Sequence, residues 1–383
     1  MSWAYRVARV AGIDVKVHAT FAIIVLLAAA SWSNYGPAGM AFGAILILLL
    51  FACVTLHEFG HAVAAQRYGI PVREIVLLPI GGVAFLGRQT RHPVQELVIA
   101  AAGPAVNVVL IAFLAQGLYL LGESVSLRPT GLGPTDAGPS VVTAMHWLLS
   151  ANVGLVLFNL IPAFPLDGGR MLRGLLGLRM EWSQATRWAA TTGQALAMGL
   201  GAFGLMQGHV MLAIIATMIF FSAAAAGADE RGHSVLSAQR VGDACNRNAA
   251  TLAESDRVST VVALLLTSYQ PDFAVMRGPR LLGVVRRSQV LDALVRRLGD
   301  LPVAAIMTDC PRVRADRSLV DTRDTFAATS ASVAAVFQDD VFLGLVSAED
   351  IAEAEMVLAF AAAGRESTRR TGPVPRDEAI AEA

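Results

Sequence analysis

The sequence predicts an α-helical polytopic membrane protein with about six transmembrane helices, a small β-hairpin at the membrane margin and a soluble α/β domain. Three observations support this fold class. Of the 383 residues, 55% are hydrophobic and 16% are charged, whereas a soluble domain carries about 25% charged residues. Long apolar runs occupy the first 230 residues. Beyond residue 240, short β-branched runs alternate with helical patterns, which is typical of a soluble α/β domain.

Six apolar runs are the candidate membrane spans. An apolar helix needs about 20 residues to cross a bilayer, and a shorter one has to tilt less or lie partly buried in protein. The first run is short for a span. The runs cover residues 18–31, 38–65, 94–121, 141–161, 185–206 and 210–227.

The distribution of Lys and Arg predicts the orientation. Basic residues concentrate before the first run, in the second and fourth connections and after Asp229, while the other connections are nearly free of them. Because cytoplasmic loops are enriched in Lys and Arg, we expect a multi-pass protein of the plasma membrane with both termini in the cytoplasm. We divide the chain into a membrane-embedded domain (1–230), a linker (231–240), a soluble domain (241–361) and a disordered tail (362–383).

Charge and cysteine content narrow the possible partners. The formal net charge is zero, so we expect no nucleic acid partner, while the apolar runs predict contact with the lipid bilayer. The three cysteines are far apart and form no Cys-x-x-Cys pattern. This pattern predicts neither a disulfide framework nor a thiolate metal site.

The second run contains the strongest chemical signal, His57-Glu58-Phe59-Gly60-His61. On a helix, residues four apart share one face, so His57 and His61 can present two nitrogen ligands to one zinc ion. Glu58 lies beside them and is the candidate general base. Ionisable groups inside an apolar span are costly unless they have a function or a partner. A carboxylate that is merely hydrogen-bonded to its neighbours is the alternative for Glu58.

A catalytic zinc site takes three protein ligands, and Asp167 is the candidate for the third. It follows Pro162 and Pro165, which end the fourth run, and precedes Gly168-Gly169. In the predicted orientation this irregular segment lies at the same cytoplasmic depth as the two histidines. The alternative is an Asp that caps the next helix.

Two asparagines have two possible roles each. Asn159, one turn before the Pro break, is a candidate donor to a developing oxyanion. Asn107, in Gly103-Pro104-Ala105-Val106-Asn107, lies in the third run. For both, a hydrogen bond between membrane helices is the alternative role.

Residues 74–85 are a candidate binding segment for an extended peptide substrate. Residues 74–85 predict two short apolar strands around Ile80-Gly81-Gly82. An exposed strand edge near the metal can hold an unwound peptide by main-chain hydrogen bonds, so these three residues are candidate substrate-binding residues. A plain cytoplasmic loop is the alternative.

Together these residues resemble the site-2 protease family, in its bacterial and archaeal branch with nucleotide-binding-type regulatory modules. Three motifs carry the resemblance: the His57–His61 segment, residues 101–107, and Asn159 through Asp167-Gly168-Gly169-Arg170. The resemblance implies an intramembrane zinc protease that cuts transmembrane segments of regulatory proteins, such as an anti-sigma-type regulator. It also implies His57, His61 and Asp167 as zinc ligands, Glu58 as the base, and Asn159 as a residue that contacts the substrate or its oxyanion.

The C-terminal region resembles tandem CBS modules, which bind adenine nucleotides in many relatives. Two similar units are predicted, and the second keeps a Gly, a hydroxyl residue and an Asp in Gly344 to Asp350. The first has Arg and Gln at the hydroxyl and Asp positions. We therefore expect at most one adenine nucleotide site, at Ser347 and Asp350. Because such modules often pair, we also expect a homodimer through this domain.

Two other functions remain open at this point. One is a channel or transporter gated by the tandem modules, supported by the multi-span body. The other is a catalytically inactive scaffold. The clustering of ionisable residues at metal spacing, with Glu58 present, favours the protease over both.

Overall fold

A computed structural model describes residues 3–79, 81–86, 90–127, 138–268, 270–329 and 331–371. The chain divides into two compact units, Met1–Gly227 and Ala228–Ala383, and we describe each by itself. The side chains of residues 83–86, 359 and 362–371 lie outside the description.

The first unit consists of helices and one sheet. Its helices are α1 (Phe21–Ser31), α2 (Gly36–Arg67), α3 (Pro93–Leu120), α4 (Val141–Asn159), α5 (Asp167–Gly177), α6 (Trp182–Met206) and α7 (Val210–Ser237), with a short 3-10 turn at Ser33–Tyr35. Aromatic and aliphatic side chains of α1, α2 and α4, including Phe21, Phe51 and Trp147, form one core cluster.

Four helices of the described residues are long and apolar enough to cross a membrane: α2, α3, α4 and α7. The other two predicted spans differ. Helix α1 has 11 residues, about 16 Å at 1.5 Å per residue; the predicted run begins three residues earlier, with the end of β2 and a turn. Helix α6 has 25 residues, but Gln184, Arg187 and three threonines make its first half polar. The count of six spans therefore stays a prediction.

The sheet of the first unit has four strands in the order β1 (Ala4–Val10), β2 (Ile13–His18), β3 (Val72–Leu78) and β4 (Gly81–Leu86). Strands β2 and β3 are parallel and the other pairs are antiparallel. The predicted β-hairpin is confirmed as β3–β4. Strands β1 and β2 were not predicted: β1 pairs with β2, and β2 pairs with β3 at long range. The predicted start of the first helix at His18 is wrong, because His18 is the last residue of β2.

One buried ionic cluster joins α3 to α5. Glu96 is 2% exposed and accepts hydrogen bonds from Arg170 Nε at 3.1 Å and from Arg173. The Arg173 guanidinium also lies over the rings of Phe164 and Trp182. A buried carboxylate is tolerated only when it is paired and hydrogen-bonded, so this cluster fixes where α5 begins relative to α3.

The second unit contains the predicted repeat. One sheet has the order β5 (Thr251–Ala253), β6 (Asp272–Arg277), β7 (Arg280–Arg286), and the other has β8 (Arg312–Arg314), β9 (Val333–Gln338), β10 (Val341–Ser347). The pairs β5–β6 and β8–β9 are parallel, and the pairs β6–β7 and β9–β10 are antiparallel. The accompanying helices are α8 (Val241–Ala244), α9 (Val258–Thr267), α10 (Arg287–Val295), α11 (Leu319–Thr329) and α12 (Ala348–Thr371), with a 3-10 turn at Val303–Ala305.

Two predicted boundaries differ from the structure. The linker predicted at 231–240 is helical up to Ser237, because α7 continues past the unit boundary. The buried side chain of Leu236 packs in the core of the second unit, which explains why this segment stays helical. The tail predicted to be disordered from residue 362 is helical as far as Thr371; residues 372–383 lie outside the described residues.

The ionic cluster predicts a stability effect. We expect Glu96→Ala to lower the free energy of unfolding by about 3–5 kcal/mol, because two guanidinium groups lose their buried partner. Thermal or denaturant unfolding in nanodiscs measures this. The exposed Glu181 provides the control: Glu181→Ala should change stability by less than about 0.5 kcal/mol. Equal effects of both changes would contradict a structural role for the cluster.

Candidate active site

Three side-chain atoms from two helices converge on one point. His57 and His61, one turn apart on α2, have their Nε2 atoms 3.1 Å apart. Asp167 Oδ2, at the start of α5, lies 3.2 Å from each Nε2 atom. All three residues are buried. Among the described residues, they form the group whose atoms are close enough to hold one metal ion.

The hydrogen bonds on the far side of each ring indicate what these atoms offer. His61 Nδ1 lies 2.7 Å from the Ile99 carbonyl oxygen, which can only accept, so Nδ1 carries the hydrogen. His57 Nδ1 hydrogen-bonds to Asn107 Oδ1. A neutral imidazole with its hydrogen on Nδ1 has a lone pair on Nε2. Both Nε2 atoms therefore face each other as acceptors.

The donor set fits a metal ion. Two imidazole lone pairs and a carboxylate oxygen repel one another at these distances unless a cation lies between them. Asp167 Oδ2 has no hydrogen-bond donor, although it is fully buried, and a buried polar atom without a partner is costly. Two nitrogens and one carboxylate oxygen are the ligand set of several catalytic zinc sites.

Close contact between α2 and α3 requires a glycine. A Cβ atom at Gly103 would lie 2.2 Å from His61 Nε2 and 2.8 Å from His57 Cε1. Only a residue without a side chain lets the α3 backbone lie against both rings. This explains the Gly in the 101–107 segment, for which the sequence analysis suggested only helix approach. Asn107, one turn later, then reaches His57.

The Pro-rich turn positions Asp167. Helix α4 ends at Asn159 and α5 begins at Asp167. A Cβ at Gly168 would lie 2.4 Å from the carbonyl oxygens of Leu160 and Ile161, so the turn closes this tightly only with glycine. Arg170 bonds to Glu96, and its Nη1 atom lies 3.9 Å from Asp167 Oδ1. Asp167 is thus at the first position of a helix as well as beside the histidines.

Glu58 lies between the histidines and the hairpin. It is half-buried. A Cβ at Gly82 would lie 2.7 Å from Glu58 Cγ, so the start of β4 packs directly against the candidate base. Gly81 has a φ of 140°, a conformation that favours glycine. Of the predicted substrate-binding residues, Gly82 therefore lies against Glu58, Gly81 precedes it at the start of β4, and Ile80 lies outside the described residues.

Asn159 is the last residue of α4 and is half-buried. It lies on the segment that leads to Asp167, and its role stays a prediction. Sequence reasoning missed Glu96 and Arg170 as parts of this site. The ionisable Glu96 near the start of an otherwise apolar run, with two arginines after Asp167, was an available signal.

Ser347 and Asp350 lie in the second unit and bond to each other's backbone. Ser347 N donates to Asp350 Oδ2 at 2.7 Å, and Asp350 N donates to Ser347 Oγ at 3.0 Å. This is a capping box at the start of α12. Both residues also line a cavity of about 290 Å³, so their predicted role in nucleotide binding stays a prediction.

The contact at Gly103 leads to a metal-binding prediction. We expect Gly103→Ala to lower the amount of bound zinc by at least about tenfold, because the added methyl group displaces the two imidazoles, and misplaced ligands cost at least this much affinity. Metal analysis of the purified protein measures this. Gly117→Ala in the same helix is the control, since its Cβ would meet only the flexible end of Met145. Normal zinc in Gly103→Ala would refute the proposed ligand geometry.

Known proteins are similar to this chain in sequence. The sequence model of peptidase family M50 matches residues 45–200. Zinc metalloprotease MJ0392 of Methanocaldococcus jannaschii is 33% identical over 225 residues, which are 58% of this chain and 60% of the relative. The chain thus spans less than two thirds of that relative. Rip3 of Mycobacterium tuberculosis is 29% identical over 96% of both chains.

A solved structure adds to these matches. The site-2 protease from M. jannaschii is 32% identical, with 59% of this chain and 95% of that chain covered and a TM-score of 0.41. The family match covers the segment that contains His57, His61 and Asp167. Residues 45–200 of this chain thus form a peptidase family M50 domain.

Proposed function

We propose that this protein is an intramembrane zinc endopeptidase that cleaves transmembrane segments of regulatory membrane proteins. The convergence of two imidazole nitrogens and one carboxylate oxygen on one point, beside Glu58, is the observation that carries the proposal. Family membership favours it over the channel or transporter alternative. The presence of Glu58 and of all three candidate ligands supports an active enzyme over an inactive scaffold.

In this proposal His57, His61 and Asp167 hold the zinc ion. A bound zinc lowers the pKa of its water to about 7 and polarises the substrate carbonyl. The Glu58 carboxylate accepts the proton of the attacking water and returns it to the leaving amine. Asn159 donates its amide N–H to the substrate or its oxyanion.

The edge of β4 is the proposed substrate cradle. Within the described part of the chain, β4 pairs with β3 on one side and with no strand on the other. Gly82 packs on Glu58, so a peptide added to the free edge would pass the candidate base. A helical transmembrane segment has its carbonyl groups already bonded and must unwind before cleavage. Peptides with N-methylated amides should lose affinity if this edge holds the substrate; unchanged affinity would argue against it.

We further propose a multi-pass location in the plasma membrane, with cytoplasmic termini. We also propose a regulatory role for the second unit as a tandem CBS pair that dimerises.

The substrate would be a membrane-tethered regulator, for example of the anti-sigma type. The proteins that accumulate in cells with the Glu58→Gln variant would identify it. Accumulation of no membrane protein would contradict this substrate class.

Metal and activity should separate in two variants. We expect about one zinc per chain in the wild type, loss of zinc and activity in His57→Ala, and retained zinc in Glu58→Gln. Because Glu58 acts on protons, Glu58→Gln should lower the rate of peptide cleavage by about 10²–10⁴-fold. Elemental analysis and a cleavage assay in nanodiscs measure the two properties. Wild-type protein purified without chelators that contains no metal would overturn the proposal.

The electrostatics of the cavity at Ser347 predict how a nucleotide would bind. The charged residues that line it are Asp272 and Asp350. Burial raises the pKa of Asp272 to about 6; Arg286 opposes this rise, and Glu349 and Asp350 add to it. At pH 8 Asp272 is therefore charged and repels a phosphate, and at pH 5 it is mostly neutral.

We therefore expect the full chain to bind AMP or ATP more weakly at pH 8 than at pH 5. Asp272→Asn should tighten binding at pH 8 and leave binding at pH 5 nearly unchanged, because the repulsion is absent there in both proteins. Isothermal titration measures the affinities, and the difference between wild type and variant removes the titration of the nucleotide itself. Identical affinities of the two proteins at pH 8 would show that no phosphate lies near Asp272.

A further inference from the structure

A buried row of amides leads from α4 to the metal centre. Asn107 on α3 and Asn152 on α4 are both fully buried, with 0% exposure. Asn107 Nδ2 donates to Asn152 Oδ1 at 2.8 Å, and Asn152 Nδ2 donates to the Leu148 carbonyl oxygen at 2.8 Å. Asn107 Oδ1 meets His57 Nδ1. Three helices, α2, α3 and α4, thus share one hydrogen-bonded chain.

The donors and acceptors of this row follow one order, and the Leu148 carbonyl determines that order. The Leu148 carbonyl can only accept, so the amide group of Asn152 turns its NH₂ toward it and its oxygen toward Asn107. Asn107 must then present its NH₂ to Asn152 and its oxygen to His57. That oxygen accepts from Nδ1–H, which leaves the lone pair of His57 on Nε2. The opposite arrangement would put a hydrogen on Nε2, where it would point at the metal.

We infer that Asn152 is a positioning residue of the metal centre: it acts through Asn107 to fix His57 in the tautomer that can bind zinc. The inference rests on the zinc site proposed above. Partners of the second ring nitrogen of a ligating histidine fix its tautomer and orientation, and their loss commonly costs about 10–100-fold in metal affinity. His61 needs no such row, because its Nδ1 meets a backbone carbonyl directly.

A role in packing alone is the competing explanation. Two buried asparagines that satisfy each other would be needed for stability in any case. The two explanations predict different results when residue 107 has no NH₂ group that could face His57. An aspartate at 107 offers oxygens only, so it accepts from His57 whichever way it lies. In that background the tautomer no longer depends on Asn152.

The test uses zinc affinity, measured by chelator competition, together with the unfolding temperature of the zinc-free protein. The variants are Asn152→Ser, Asn107→Asp and the double variant. A serine at 152 can keep a bond to the Leu148 carbonyl and is too short to reach Asn107. We expect Asn152→Ser to lose about 10–100-fold in zinc affinity. In the Asn107→Asp background, Asn152→Ser should alter zinc affinity by less than about twofold. There the aspartate at position 107 fixes the His57 tautomer without help from residue 152, so the two changes are not additive.

The control is Thr143→Val, which removes another buried polar group of α4 away from the row and should leave zinc affinity unchanged. Cobalt-substituted protein gives a second readout, since a displaced His57 changes the absorption spectrum of the site. If Asn152→Ser lowers only the unfolding temperature and keeps wild-type zinc affinity, or if its loss is equally large in the Asn107→Asp background, the inference is overturned. Absence of zinc in the wild type would instead overturn the proposed function.

Discussion

Three lone pairs that face one another inside a largely apolar helical unit are the constraint on which this structure depends. The Nε2 atoms of His57 and His61 and the Oδ2 atom of Asp167 lie within 3.2 Å of each other. Such an arrangement is unfavourable by itself, since acceptors repel at this distance and Asp167 Oδ2 has no donor. Much of the surrounding polar structure serves to hold these atoms in place. The site therefore stores an electrostatic cost that a cation relieves.

Two sets of contacts hold the ligands from behind. Glu96 and Arg170 link α3 to the start of α5, next to Asp167. Asn107 Oδ1 and the carbonyl oxygen of Ile99 bond to the far nitrogens of the two histidines, and Asn152 in turn accepts from Asn107. Buried polar groups are stable only when all of them are satisfied. A network of this kind fixes one arrangement of the helices, which is the rigidity that a metal site requires.

The sheet of the first unit places an extended strand beside a helical bundle. Gly82 brings the start of β4 against Glu58, and β1 and β2 support the hairpin from its other side. A protease that acts on transmembrane segments must bind an unwound main chain, and a strand edge offers the matching donors and acceptors. In the second unit, Ser347 and Asp350 are already engaged in capping α12. The cavity beside them is lined by two carboxylates, Asp272 and Asp350.

The sequence by itself indicated a membrane protein, most helix positions and the three candidate ligands that the structure brings together. Apolar runs of spanning length and a His-x-x-x-His spacing on a helix are local signals, because the 3.6-residue period places both rings on one face. The pairing of β3 with β4 was equally local. The hairpin apex at Ile80 and the end of the tail lie outside the described residues, so those parts of the sequence analysis stay predictions.

Only the tertiary structure decided the rest. Strand β2 pairs with a strand 60 residues away, and such pairing leaves no local period. Strand β1 pairs with β2 across Ala11-Gly12, a local hairpin that the sequence interpretation did not include. Residues 231–237 continue α7 because Leu236 finds a core in the second unit. The roles of Gly103, Glu96 and Asn152 depend on contacts between helices. The sequence names the atoms that can bind a metal, but the directions of their lone pairs are set by neighbours that only the fold brings together.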